Sequence, residues 1–166
     1  IPVEGNNNPM GVERGIFPGR VSWIQDFNAT SWDEKNGHWW DDANTSQQAT
    51  DQMITNAVLN ISGEKTLKNA WGKIFSYHNK VMGKGNSNYK KGEQIVIKVN
   101  LNAVSNLDTK WEDRGYPSPH MLNSLVKQLI DEAVKAGVDA VKFQSFVAES
   151  GISKNAPKAD YQLKLT

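Results

Sequence analysis

A chain of 166 residues with 38% hydrophobic and 22% charged side chains has the bulk properties of one globular domain, or of one domain with an appended segment. Nineteen basic residues nearly cancel eighteen acidic ones, leaving +1, so no net field draws in nucleic acid or an anionic membrane surface. Cysteine is absent, which excludes disulfides, iron–sulfur clusters, thiolate nucleophiles and Cys-based zinc sites; no apolar run approaches the roughly 20 residues that span a bilayer.

Residues 1–19 are rich in Gly, Asn and Pro and read as an irregular arm; the opening Ile1-Pro2, where Met would stand, implies that something upstream was removed or left out. Residues 20–25 (R-V-S-W-I-Q) alternate β-favouring and polar side chains and predict a first strand. A long polar loop over 26–44 holds Trp32, Trp39 and Trp40, and loops of this length are usually functional or flexible. Thr45 or Ser46 can then cap a helix running to about Ile61. Its stripe is Ala49, Met53, Ala57 and Ile61, flanked by Ile54 and Val58, and Ser62-Gly63 ends it. Thr66 can cap a second helix with Leu67, Ala70, Trp71, Ile74 and Phe75 on one face, followed by a basic, turn-rich loop over 83–92.

The run 94–101 (Q-I-V-I-K-V-N-L) is the strongest strand signal in the chain, short and dense enough for a buried parallel strand. Ser118 caps a third helix with Pro119 at its first position, where the fixed φ and missing N–H of proline are tolerated. Leu122, Leu125, Val126, Leu129, Ile130 and Ala133 line this helix and Gly137 ends it. Residues 139–147 (D-A-V-K-F-Q-S-F-V) predict a third strand. The order strand, two helices, strand, helix, strand predicts an α/β fold. The expectation is a small parallel sheet with right-handed crossover helices, an incomplete Rossmann-like or partial barrel unit.

Ligands of parallel sheets collect at the carboxyl ends of the strands. That rule selects Asp26 and Asn28 where the first strand runs out, Lys98, Asn100 and Asn102 on the second strand, and Lys142 and Gln144 on the third. A lysine inside an apolar strand either meets an anionic ligand or snorkels from a strand edge into water, and both readings stand for Lys98 and Lys142. In the long loop, His38, Asp41 and Asp42 carry the donor types that suit a hard divalent cation, although no recognised metal-binding spacing is present. Trp39 and Trp40 beside them either stack on a sugar face or fold back over the core. His120, near the start of the third helix, is a lone histidine of the kind that is usually structural.

Two resemblances follow from longer stretches. N-N-P-M-G-V-E-R-G-I-F-P-G-R-V-S-W-I (7–24), G-H-W-W-D-D-A-N-T (37–45), G-E-Q-I-V-I-K-V-N-L-N (92–102) and Y-P-S-P-H-M-L-N-S-L-V-K-Q-L-I-D-E-A (116–133) resemble the bacterial family designated domain of unknown function 362. That resemblance implies an extracytoplasmic protein whose leader is absent here, with a cytoplasmic location as the alternative. Some relatives carry iron–sulfur cysteines; this chain has none, so that cofactor does not carry over.

From about Ala133 the text changes. A-V-K-A-G-V-D-A-V-K-F-Q-S-F-V-A-E-S-G-I-S-K-N-A-P-K-A-D-Y-Q (133–162) resembles the early part of N-acetylneuraminate (sialic acid) synthases, most specifically in Lys142-Phe143-Gln144 and in K-N-A-P-K-A-D-Y-Q (154–162). In that family the matching lysine and glutamine line the site where phosphoenolpyruvate condenses with an N-acyl sugar. The family's A-E-I-G and N-H-N-G motifs have no counterpart here, and its metal-holding histidines have none either.

The expected organisation is therefore an uncharacterised α/β domain over 1–132 and a synthase-like segment over 133–166. The leading expectation is a small anionic or carbohydrate ligand at the strand ends. The alternatives are condensation through Lys142 and Gln144, and a composite chain with no single function. Oligomeric state and cofactor are open, a divalent metal included.

Overall fold

The computed structural model of the chain describes residues 11–97, 99 and 118–141. Among these residues three helices carry the fold: α1 (Gln47–Ser62), α2 (Leu67–Val81) and α3 (Pro119–Lys135), preceded by one 3-10 turn at Phe27–Ala29. Their ends are set locally. The Ser46 side chain accepts the N–H of Ala49, Thr66 that of Asn69, and Ser118 that of Met121, so each helix has a side-chain cap on its first turn. Pro119 occupies the first turn of α3 as expected.

At the other end of α1, Gly63 takes φ 69° and its N–H reaches Leu59 O at 2.8 Å. A side chain there would be strained twice. The left-handed backbone favours glycine, and a Cβ would stand 3.0 Å from the Phe17 ring and 3.1 Å from the Arg20 guanidinium. Gly137 closes α3 in the same way, donating to Val134 O while Val138 N donates to Ala133 O.

Helix α1 packs against both α2 and α3. The core between them is small: Val58, Ala70, Trp71 and Leu129 are buried, with Ile54, Leu59, Leu67, Ile74, Phe75 and Leu125 packed around them. The predicted face of α2 is the one that reaches the core. On α1, Ile54 and Val58 do so, whereas Ala49, Met53 and Ala57 are only half-buried and lie outside it. Thr50 and Ser62 are buried in their place.

The expected α/β architecture is not what forms. Among the described residues there is no sheet; the one β feature is an isolated antiparallel bridge between Thr30 and Thr45. Residues 20–25 run without a strand partner among the described residues, with Val21 86% and Trp23 78% exposed. Residues 94–97 and 139–141, the described parts of the other two expected strands, likewise have no strand partner among the described residues, and Val96 is 88% exposed; the rest of both runs lies outside the described residues, Val99 apart. Among the described residues the expected small parallel sheet with crossover helices, Rossmann-like or partial barrel, is replaced by a three-helix arrangement. A strand is stabilised by its neighbour's backbone, and alternating side chains do not supply that neighbour.

No described helix is long and apolar enough to cross a membrane.

Candidate functional site

The polar loop is folded back on itself. The Asp26 carboxylate accepts the N–H of Asn28 and starts the 3-10 turn. The Thr30–Thr45 bridge then pins the base of the loop, with Ser31 N donating to Asn44 O at 2.9 Å and Ser46 N to Ala29 O at 3.0 Å. Inside, the Asp33 carboxylate accepts the backbone N–H groups of Asn36 and Lys35 and the Asn36 amide, which hold its carboxyl below the usual carboxylate range. The Asn44 amide reaches Asn36 O and His38 O, tying the tip to the base.

His38, Trp39 and Trp40 form one half-buried cluster in this loop. The Trp40 ring stacks on His38 at 4.5 Å between centroids, and Trp39 meets Trp40 edge-on at 5.4 Å. Thr45 Oγ1 donates to Trp39 O. The two acids part company. Asp41 turns inward, its Oδ2 accepting the His38 backbone N–H at 2.7 Å, and a Cβ at Gly37 would collide with that carboxylate. Asp42 turns toward α3, its Oδ1 3.0 Å from His120 Nε2. Among the described residues, no three His, Asp or Glu side chains gather to hold a metal ion. The donor types at His38, Asp41 and Asp42 suit a divalent cation, while the geometry assigns Asp41 to the loop and Asp42 to the helix.

The Asp42–His120 contact opens onto a polar seam that the sequence reading missed. On α1, Gln47, Asp51 and Thr55 recur every four residues; on α3, His120, Ser124 and Gln128 do the same, so each set lines one face of its helix. The two ladders meet. Gln47 Nε2 lies 2.8 Å from Asp51 Oδ1, 3.0 Å from His120 O and 2.9 Å from Ser124 Oγ. Ser124 Oγ lies 2.5 Å from Asp51 Oδ1, and Gln128 Nε2 donates to Thr55 Oγ1 at 3.2 Å. Gln128 Oε1 accepts the indole N–H of Trp71 at 3.1 Å, which brings α2 into the same seam. The hydroxyl of Ser124 is the largest influence holding the Asp51 carboxyl below its ordinary range, with Gln47 and Lys127 adding to it against the cost of burial.

Ser, His and Asp together invite a nucleophile reading, and the geometry refuses it. Ser124 is 2% exposed, its hydroxyl is engaged by Asp51 and by His120 O, and the His120 imidazole faces Asp42. No reacting group can reach Ser124. The seam is a positioning device that holds the tryptophan loop, α1 and α3 in one register. The buried Nδ1 of His120 has no hydrogen-bond partner among the described residues. The signal for the seam was present in the sequence as polar residues recurring at i, i+4 and i+8 on two helices.

The remaining candidates, Lys98, Asn100, Asn102, Lys142 and Gln144, lie outside the described residues. What is described is the approach to the last two. Helix α3 closes at Gly137, and Asp139 is held by Lys91 Nζ at 2.6 Å. Glu132, 5% exposed, pairs with Lys135 on the last turn of the same helix.

Among the comparisons with known proteins, a family match falls at this end of the chain. The model of the NeuB family matches residues 129–166, beginning inside α3. N,N'-diacetyllegionaminic acid synthase from Campylobacter jejuni is 56% identical over 43 residues, which is 26% of this chain. The match spans only 13% of that relative's length. No solved structure matches the chain.

Proposed function

We propose that the segment following α3 is part of a sugar-acid synthase-like site, and that its ligand is a phosphorylated carboxylate such as phosphoenolpyruvate, or its N-acyl sugar co-substrate. The observation that carries this reading is the NeuB family match over residues 129–166, which covers the segment. The 56% identity over 43 residues to a protein named N,N'-diacetyllegionaminic acid synthase supports the same class of site. Lys142 would neutralise the anionic substrate and Gln144 would orient it, the roles that the resemblance gives to the lysine and glutamine at these positions. The part of the chain that leads into them suits the task. Gly137 ends α3 abruptly, and the Lys91–Asp139 contact holds the chain where it leaves the helix.

The matched stretch is a small part of the relative, so binding and not turnover is the informative readout. Titration of phosphoenolpyruvate into the chain, followed by calorimetry, should give saturable heat. Lys142→Ala should weaken that binding by about tenfold or more, the loss expected for one charge-assisted hydrogen bond. Gln144→Ala should weaken it less. No heat from phosphoenolpyruvate or from N-acetylmannosamine, or heat that Lys142→Ala leaves unchanged, rejects the reading.

A further inference from the structure

Away from that segment, Arg14, Gly15, Ile16, Phe17 and Arg20 line, together with residues of α1 and α2, a half-open cavity of about 460 Å³. This lies within the range of small-molecule sites. Phe17, Ile61, Ile74 and Val81 give it an apolar wall, and Arg14 and Arg20 stand at it as well. Neither arginine makes an ion pair with a described carboxylate. Arg20 lies over the Phe17 ring at 3.8 Å and spends one N–H on Asn60 O, its other guanidinium donors having no partner among the described residues. Lys73, also near the Phe17 ring, is already paired with Glu64 and adds no free charge. Tyr77 fixes the rim, since its hydroxyl accepts the backbone N–H of Gly15 at 3.0 Å. His78 completes the wall.

We propose that this cavity is a binding site for a small amphipathic carboxylate, an organic monoanion with an aliphatic or aromatic body. The apolar wall and the two guanidiniums make different demands. A purely polar anion such as inorganic phosphate would leave Phe17, Ile61 and Ile74 in contact with water, and a neutral hydrocarbon would leave the arginines unused. A carboxylate carrying an apolar body satisfies both, because guanidinium forks pair with carboxylates in two parallel hydrogen bonds. The Gly15–Tyr77 bond ties the arm that carries Arg14 to α2, so the charged side of the cavity is held against its apolar floor.

The test uses octanoate titrated into the full chain, followed by the NMR shifts of the Gly15 amide and the Tyr77 ring. Saturable shifts at both are expected. Arg14 is exposed, so Arg14→Gln should stay folded. It should weaken octanoate by about tenfold, the loss of one charged hydrogen-bonding partner. The neutral analogue 1-octanol should bind about tenfold more weakly than octanoate to the unaltered chain and should be indifferent to Arg14→Gln. Absence of saturable shifts overturns the proposal. So do equal affinities for octanoate and octanol, which would reduce the cavity to an apolar crevice. The outcome is independent of Lys142 and therefore of the synthase-like reading.

Discussion

Trp71→Ala should lower the free energy of unfolding by about 3–5 kcal/mol, the usual cost of removing a buried tryptophan. Trp71 is 8% exposed and is the largest side chain in a core cluster whose other buried members, among the described residues, are Val58, Ala70 and Leu129. Its ring tilts against Phe75 at 5.8 Å, and its indole N–H ends on Gln128 of α3. One residue thus joins the apolar contact of α1 with α2 to the polar seam between α1 and α3. Alanine would leave a cavity between three helices and strand the Gln128 oxygen. Domains of this kind are stable by about 5–15 kcal/mol in total, so the loss would be a large fraction of the whole. Urea denaturation followed by far-ultraviolet circular dichroism checks it. A change below about 1 kcal/mol would mean that the three helices are not held by this core.

Ser124→Leu is expected to be nearly as damaging, by a different route. Ser124 is 2% exposed and sits where α1 and α3 approach, so a leucine overfills the gap at about 1–3 kcal/mol. It also deprives Asp51 of its hydroxyl partner, and a half-buried carboxylate short of donors costs roughly another 1–3 kcal/mol. The same contact sets a pH dependence. Asp51 is held below its ordinary range, chiefly by Ser124. Its contribution to stability is therefore complete above the unfolded carboxylate range near pH ~4 and is lost as the pH falls through the lower, folded value. The urea midpoint of the unaltered chain should drop in acid more steeply than that of Asp51→Asn, which keeps an acceptor oxygen but cannot titrate. Identical acid profiles for the two proteins would remove Asp51 from the account.

The helices were legible in the sequence because their signals are local. Ser46, Thr66 and Ser118 each bond to the backbone three residues on, and Gly63 and Gly137 supply the left-handed stops. None of this depends on distant residues. The strands were misread because the evidence for them was only half of a strand. Val21 and Trp23 alternate correctly with their neighbours, but no described backbone lies beside them to pair with. The apolar run at 94–97 has the same composition as a buried strand and is exposed for the same reason.

Of the candidate site, the tryptophan loop was legible as a unit. The opposed destinations of Asp41 and Asp42 were not, since the second is decided by His120, far away in sequence. The Gln47–Asp51–Thr55 and His120–Ser124–Gln128 ladders were visible as spacing but were overlooked beside the apolar stripes on the same helices. The synthase-like segment was legible through its motif, and the family match at 129–166 agrees with where that motif was read.

The central functional claim is that this segment is a working piece of a sugar-acid synthase site. It is tested most directly by exchange: the 43 matched residues of the Campylobacter jejuni N,N'-diacetyllegionaminic acid synthase are replaced by those of this chain, and formation of N,N'-diacetyllegionaminic acid is measured. The account predicts a folded, active hybrid whose activity is abolished by Lys142→Ala. A hybrid that folds as the parent does yet makes no product, or one that is indifferent to Lys142→Ala, would contradict it.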